Sequence, residues 1–376
     1  MSSRHEHVIL PVAGIGGLLQ ALRQEGYQLV GPTVRDGAIV HAEITGVEDL
    51  PVGWTEEQEA GTYRLRRRDD GALFGYSLGP QSWKQLFFVP RLRLFQARRT
   101  DGTFVLDTPP PKPPRLALIG ARSCDLHAIE VQDRTFLDGP FVDPDYAARR
   151  EGVFVVAVNC GVAGGTCFCA SMKTGPRVTQ WFDLALTELL DGAHRFVVEV
   201  GTERGAAVLA KLDSQPANSG DRRKADEVVE KTASSMGREL ETEGIKELLY
   251  RNLEHPRWDD VAGRCLSCTN CTLACPTCFC ASVEDVTELS GDTAERWRRW
   301  DSCFTLDHSH VHGGSVRSAT RSRYRQWLVH KVASWIDQFG TSGCVGCGRC
   351  ITWCPVGIDI TEEVAAIRAT DGKKEP

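Results

Sequence analysis

Eight of the chain's fifteen cysteines fall into two copies of one pattern. Cys265, Cys268, Cys271 and Cys275 are followed by Pro276, and Cys344, Cys347, Cys350 and Cys354 by Pro355, so C-x2-C-x2-C-x3-C-P occurs twice. Three cysteines at that spacing let one loop wrap an iron–sulfur cubane, each thiolate reaching a different iron. The fourth stands where the chain leaves the loop, and in two-cluster ferredoxins it ligates the other cluster. The pattern therefore assigns one [4Fe–4S] cluster to Cys265, Cys268, Cys271 and Cys354, and a second to Cys344, Cys347, Cys350 and Cys275. A structural zinc site would ask for two C-x2-C pairs instead. Nothing in the pattern supplies a catalytic base beside an open cleft, so the clusters read as relays.

Seven cysteines remain: Cys124, Cys160, Cys167, Cys169, Cys278, Cys280 and Cys303. The hexapeptide Thr-Cys-Phe-Cys-Ala-Ser occurs at 166–171 and again at 277–282, and a repeat around C-x-C suggests a shared job. Cys124 and Cys160 each follow a predicted strand, where α/β folds place binding sites. With Cys167 and Cys169 they make four thiolates, enough for a third [4Fe–4S] cluster. The alternative is that all four are buried small hydrophobes, which free cysteine often is. Cys278 and Cys280 could complete or flank that site, and Cys303 reads as packing.

The setting favours metal over disulfides. The start MSSRHEHVILPVAGIGG has neither the apolar core and cleavage site of a secretory signal nor a twin-arginine motif, and no apolar run is long enough to span a bilayer. The expected location is therefore cytoplasmic, where a patterned cysteine set means metal ligands. Composition is ordinary for a globular chain, 41% hydrophobic and 25% charged, and a net charge of −6 argues against a nucleic-acid binder.

The elements that must position these cysteines divide in two. Residues 1–254 read as a mixed α/β domain and residues 255–376 as a dicluster ferredoxin domain. In the first part, Leu18 to Arg23 reads as a helix ended near Gly26. Tyr27 to Val30 and Ala38 to Ile44 read as strands around the turn Arg35-Asp36-Gly37. Gly71 to Leu78 and Phe87 to Phe95 are further strand candidates. The proline-rich stretch 108–114 is a stiff connector. Beyond it, Leu116 to Ile119, Val153 to Val158 and Phe196 to Val200 suit buried parallel strands. Leu126 to Phe136 and Phe182 to Leu190 have helical periodicity, and 221–254 is charged and helix-favouring. The 68 residues Pro276–Gly343 between the two loops are too many for a compact ferredoxin, so an α-helical ferredoxin domain with two [4Fe–4S] clusters is expected. Tyr324, Trp327, Leu328, Trp335, Ile336 and Phe339 recur at helical spacing and read as a core-facing stripe rather than an electron wire. Asp359 and Glu362 resemble a capping box for the last helix.

Three further features carry less. Gly14-x-Gly16-Gly17 reads as a plain helix start rather than a phosphate cradle. His308, His310 and His312 have no cysteine or carboxylate framing them as a site, and read as exposed or satisfied. Arg296, Arg298, Arg299, Arg317, Arg321, Arg323 and Arg325 form either a solvated face or a patch for an acidic partner.

Several runs resemble the β subunit of cytoplasmic NAD(P)-linked [NiFe] hydrogenases, or sulfhydrogenases, and also the A subunit of anaerobic sulfite reductase. They are Cys265-Leu-Ser-Cys-Thr-Asn-Cys-Thr-Leu-Ala-Cys-Pro-Thr-Cys-Phe-Cys280, Gly120-Ala-Arg-Ser-Cys-Asp-Leu-His-Ala-Ile129, Trp300-Asp-Ser-Cys303, His312-Gly-Gly-Ser-Val316 and the stretch from Gly343 to Gly357. The likeness covers most of the chain and is densest after residue 255. This chain has Arg122-Ser123-Cys124 where the family pattern has arginine–proline–cysteine, and His308 and His310 lie outside the pattern. The resemblance implies that the eight loop cysteines are the ferredoxin ligands. It also implies three partners: a flavin and NAD(P)-binding subunit, a small iron–sulfur subunit and a nickel–iron large subunit. This chain would relay electrons between them. The paired C-x2-C motifs that bind nickel are absent, so the chain is expected to be a non-catalytic electron-transfer subunit. The rival readings are the equivalent subunit of a sulfite reductase, a self-contained flavin-dependent oxidoreductase and a redox sensor.

Overall fold

A computed structural model of the chain describes residues 6–77, 79–108 and 111–372. Leu78, Pro109 and Pro110 of the expected connector, and residues 373–376, lie outside the described residues. The strands, in chain order, are β1 (His7–Pro11), β2 (Gln28–Arg35), β3 (Ala38–Glu43), β4 (Trp54–Glu59), β5 (Thr62–Arg67), β6 (Arg91–Thr100), β7 (Thr103–Asp107), β8 (Leu116–Ala121), β9 (Phe154–Val158), β10 (Leu184–Leu189), β11 (Arg195–Val200), β12 (Gln215–Pro216), β13 (Ala281–Thr287) and β14 (Thr293–Trp300).

One eight-stranded sheet has the order β12-β1-β11-β10-β9-β8-β2-β3. Its centre, β2, β8, β9 and β10, is parallel, and antiparallel pairs close both sides. Every residue of β8 and β9 is buried, because helices or loops cover both faces of a parallel sheet. Alternate side chains divide between two cores. Ala117, Ile119, Phe154, Val156 and Val158 join the helix Gly14–Gln24 on one face. Leu116, Leu118, Val155 and Ala157 join the helix Ser123–Phe136 on the other. The turn Arg35-Asp36-Gly37 is a tight hairpin with φ +48° at Asp36 and +73° at Gly37, pairing Val34 with Ile39.

Four expectations need correction. Phe182 to Leu190 holds strand β10, not a helix: it lies at the sheet centre, where Thr187 and Glu188 are hydrogen-bonded inside the protein, so its polar residues mark no solvent face from which the period could be read. Phe196 to Val200 is a strand, but it runs antiparallel to both β10 and β1. The described part of Gly71 to Leu78 is irregular, and its Leu73 and Phe74 amides donate to the Glu188 carboxylate at 2.6 and 2.9 Å instead of to a ladder. Phe87 closes a short helix, and the strand begins only at Arg91.

Helices surround both cysteine loops, as expected, but the spacer between them is not all helical. β13 and β14 form a hairpin that β6 and β7 extend into a four-stranded antiparallel sheet, order β13-β14-β6-β7. Strands from both sides of residue 254 thus share one ladder. Around the loops, the helices Ile245–Arg251, Arg257–Arg264, Thr320–Val329 and Ile360–Thr370 pack on Trp258, Tyr324, Trp327 and Leu328, so the aromatic stripe is core. Asp359 caps the last helix by accepting from the Thr361 amide at 2.9 Å. Among the described residues no helix is long and apolar enough to cross a membrane.

A buried ion pair pins the two parts together. The Arg349 guanidinium, between Cys347 and Cys350, donates to Asp125, the residue after Cys124, at 2.9 Å, and both side chains are 1% exposed. Asp125 also accepts from the Trp83 indole at 3.2 Å and the Arg122 amide at 3.1 Å. Removing one partner leaves the other charge buried and alone, which costs about 3–5 kcal/mol. Asp125→Ala should therefore lower the stability of the anaerobic protein by about that much in denaturant unfolding. Asp285→Ala, which breaks the exposed pair with Arg296, should leave the unfolding midpoint in place.

Candidate metal centres

The two C-x2-C-x2-C loops have the same backbone. In the first, Ser267 and Thr269 take left-handed φ of +51° and +70°; in the second, Gly346 and Gly348 hold the same places at +63° and +73°. The turn aims an amide at the first sulfur of each loop: Ser267 N to Cys265 Sγ at 3.4 Å and Gly346 N to Cys344 Sγ at 3.5 Å. The second loop needs glycine for a further reason. A Cβ on Gly346 would stand 2.6 Å from the Phe168 carbonyl oxygen, and one on Gly348 2.3 Å from that of Thr166. A β-branched residue at positive φ, such as Thr269, is a strained choice that the surroundings must enforce.

Each loop faces the last cysteine of the other. Cys265, Cys268, Cys271 and Cys354 line one cavity, together with Cys350 and the side chains of Phe304, Tyr324 and Trp327. The thiols of Cys344, Cys275 and Cys347 are the charge neighbours of Cys350. Cys268 of the first cradle is exposed, whereas Cys275 and Cys347 of the second are buried, so the first cradle opens at the surface and the second lies deeper. Burial pushes the Cys344 thiol up to about 12 despite the nearby Lys331 ammonium. Among the described residues no group of three or more His, Cys, Asp or Glu side chains is arranged to hold a metal ion as it stands. The cysteines frame cavities rather than meet at a point, which suits a group that offers each sulfur its own iron.

The upstream four also come together. Cys124 opens the helix after β8, and Cys160 follows β9. Cys169 has Cys160, Cys167 and Cys347 as charge neighbours, and Cys124 packs with Cys169 and Cys347. Burial pushes the Cys167 thiol up to about 11, against its hydrogen bond with the Ser77 hydroxyl. Loading a metal group must displace that proton. The strand bulge that delivers Cys124 sits at Gly120, φ +84°, where a Cβ would stand 3.0 Å from the Phe74 ring.

The two hexapeptide copies grip opposite ends of the second loop. From the first, the Phe168 amide donates to the Gly346 carbonyl at 2.8 Å, and the Thr166 hydroxyl meets that of Thr352 at 2.7 Å. From the second, the Thr277 hydroxyl donates to the Gly343 carbonyl at 2.7 Å. Cys278, Cys280 and Cys303 border a separate cavity with His308 and Lys331. His310 and His312 are exposed. The arginine stretch is mostly occupied by the chain's own acids: Arg296 pairs with Asp285, Arg298 with Asp143, Arg299 with Glu284, and Arg321 and Arg325 with Glu254.

The sequence gives no warning of three buried cations. Arg122 donates to the Phe74 and Tyr76 carbonyls at 2.9 and 3.0 Å. Arg349 is the ion-pair clamp. Lys331 lies on one turn of π-helix, His330–Ser334, and donates to Cys275 Sγ at 3.2 Å and Thr277 Oγ1 at 3.1 Å. A π-turn often marks a functional place in a helix; here it coincides with the lysine that reaches the sulfur. The Cys278 thiol and then Lys331 hold the Cys275 thiol well below the ordinary thiol range, against the effect of burial. Read as charge and spacing alone, Lys331 in Val-His-Lys-Val looks like any helix-surface lysine.

Comparison with known proteins agrees with these cradles. The 4Fe-4S dicluster domain family matches residues 264–358. The chain is 33% identical over 288 residues to sulfhydrogenase 2 subunit beta of Pyrococcus furiosus, covering 76% of this chain and 82% of that protein. No solved structure matches.

A hydrogen bond and positive charge on a ligand sulfur stabilise the reduced form of a cluster. With a cluster held by Cys275, Lys331→Met should therefore lower its midpoint potential by about 59 mV, the one-electron equivalent of about 1.4 kcal/mol. Anaerobic redox titration followed by EPR reads the shift.

Proposed function

The chain belongs to the sulfhydrogenase β-subunit family, and from that footing we propose that it relays electrons between a flavin and NAD(P)-binding subunit and the small iron–sulfur subunit of a [NiFe] hydrogenase complex. That it is an iron–sulfur electron-transfer subunit follows from the family and its dicluster domain. The observation that carries the relay is the exchange between loops: Cys354 lies with Cys265, Cys268 and Cys271, and Cys275 lies with Cys344, Cys347 and Cys350. In this reading the first four hold one [4Fe–4S] cluster and the second four hold another. Cys124, Cys160, Cys167 and Cys169 hold a third.

A bound [4Fe–4S] cluster supplies reversible one-electron chemistry. The chain supplies the rest. Its cysteines fix the three sites within one packed unit, and Phe304, Tyr324 and Trp327 give the first cradle an aromatic wall. Lys331 donates to the Cys275 sulfur, and the Arg349–Asp125 pair ties the second loop to the helix that carries Cys124. The division near residue 254, with the α/β part presenting the upstream quartet and the C-terminal part presenting the two loops, belongs to the same reading.

Purified without oxygen, the Cys160→Ala/Cys167→Ala variant should carry about four irons fewer than wild type, the four of the upstream site; unchanged iron would remove that site. The wild-type chain should show cluster absorbance that bleaches reversibly with dithionite, no flavin spectrum, and no dye reduction by NAD(P)H. Flavin-dependent turnover by the isolated chain would overturn the relay.

A further inference from the structure

A further sulfur-rich cavity lies beside the second loop site, where its Cys278 thiol meets that of Cys275. Cys278, Cys280, Cys303 and His308 line it, with Lys331, Trp327 and Trp335 among its walls, and its volume is about 220 Å³. Resting on the iron–sulfur reading above, we propose that this cavity holds a further [4Fe–4S] cluster, ligated by the thiolates of Cys278, Cys280 and Cys303 and the imidazole of His308.

Four observations point there. The first is the repeat. Cys278 and Cys280 belong to the second Thr-Cys-Phe-Cys-Ala-Ser, and the first copy gives Cys167 and Cys169 to a thiol quartet. Each copy brings its C-x-C pair to a cysteine from elsewhere in the chain, here Cys303, whose thiol is hydrogen-bonded to that of Cys280.

The second is the histidine. His308 Nδ1 meets Asp301 Oδ2 at 2.9 Å. Asp301 is itself fixed by Ser282 Oγ, by the Ser302 amide at 2.7 Å and by Thr305 Oγ1 at 2.8 Å. A carboxylate on one ring nitrogen is the usual second partner of a metal-bound imidazole, because it sets the tautomer and leaves the other nitrogen as a donor to metal. His310 and His312 lack that arrangement and face solvent.

The third is charge. The Lys331 ammonium is buried at the cavity wall, and its partners are Cys275 Sγ and Thr277 Oγ1. Lys84 is also buried nearby. Among the described residues it reaches the Thr272 and Leu273 carbonyls, at 3.5 and 3.4 Å, and the face of Trp300. The thiols of Cys275, Cys278 and Cys280 are its charge neighbours. Buried ammonium groups need anions close by, and here sulfur is the available source.

The fourth is room. The cavity is far roomier than a single ion requires. Soft thiolate with imidazole suits zinc or iron–sulfur chemistry, and the volume favours the larger group.

The test uses the full chain, purified and reconstituted without oxygen, with iron, sulfide and zinc measured per chain. The double variant Cys280→Ala/Cys303→Ala should lose about four irons relative to wild type. Cys160→Ala/Cys167→Ala should lose a different four, with additive loss when the pairs are combined. His308→Cys should keep its iron but abolish the nitrogen coupling that pulsed EPR detects on the dithionite-reduced wild type. This second reading stands even where the double variant fails to fold. Unchanged iron in the double variant, zinc in place of iron, a Cys280–Cys303 disulfide in the anaerobic protein, or no nitrogen coupling in the wild type would each overturn the proposal. Wild-type protein that takes up no iron at all would instead defeat the electron-transfer reading from which it starts.

Discussion

The arrangement of cysteines depends on one buried ion pair, Arg349 with Asp125. A guanidinium and a carboxylate at 1% exposure are costly to desolvate, and the pair is tolerable only because each charge is further satisfied. Asp125 takes the Trp83 indole and the Arg122 amide, and Arg349 reaches the Gly79 carbonyl at 3.3 Å. Burial would raise the Asp125 carboxyl; Arg349, His41 and the Arg122 amide together hold the group below its ordinary value. The positions of the two residues give the pair its importance. One follows Cys124 and the other precedes Cys350, so the contact sets the α/β sheet's cysteines against the C-terminal loop.

Once that register is set, the hexapeptide repeats make sense as brackets on either side of the second loop. The first copy bonds to Gly346 and Thr352, the second to Gly343. The loop can lie so close only because Gly346 and Gly348 have no Cβ. Cys347 becomes a neighbour of the upstream thiols, and Cys275 and Lys331 stand on its other side. The cysteines are therefore contiguous through the protein rather than scattered in separate domains. Closely spaced sites of this kind are what single-electron transfer needs, and the exposed Cys268 brings the first cradle to the surface, where a partner can reach it.

Much of this was legible in the chain itself. The two loops declare themselves because their ligands are covalently close, so spacing alone fixes their shape. Cys124 and Cys160 could be placed because buried strands precede them. The misreadings also have physical causes. Leu184–Leu189 holds its polar Thr187 and Glu188 against partners inside the protein, so they mark no solvent face. The polar hairpin 281–300 pairs with Arg91–Thr100, nearly two hundred residues earlier, and no local pattern encodes that partner. Arg349, Lys331 and Lys84 look like surface charges in sequence, since burial of a cation is decided by tertiary contacts. His308 was indistinguishable from His310 and His312 until Asp301 was seen beside it.

The central claim concerns the company the chain keeps. Isolation of the native assembly without oxygen, with this chain as bait and metals and pigments measured in what accompanies it, tests it most directly. The relay account predicts a flavoprotein, a small iron–sulfur protein and a nickel-containing subunit in constant ratio to this chain. A sirohaem protein in place of the nickel subunit would contradict it and assign the chain to sulfite reduction.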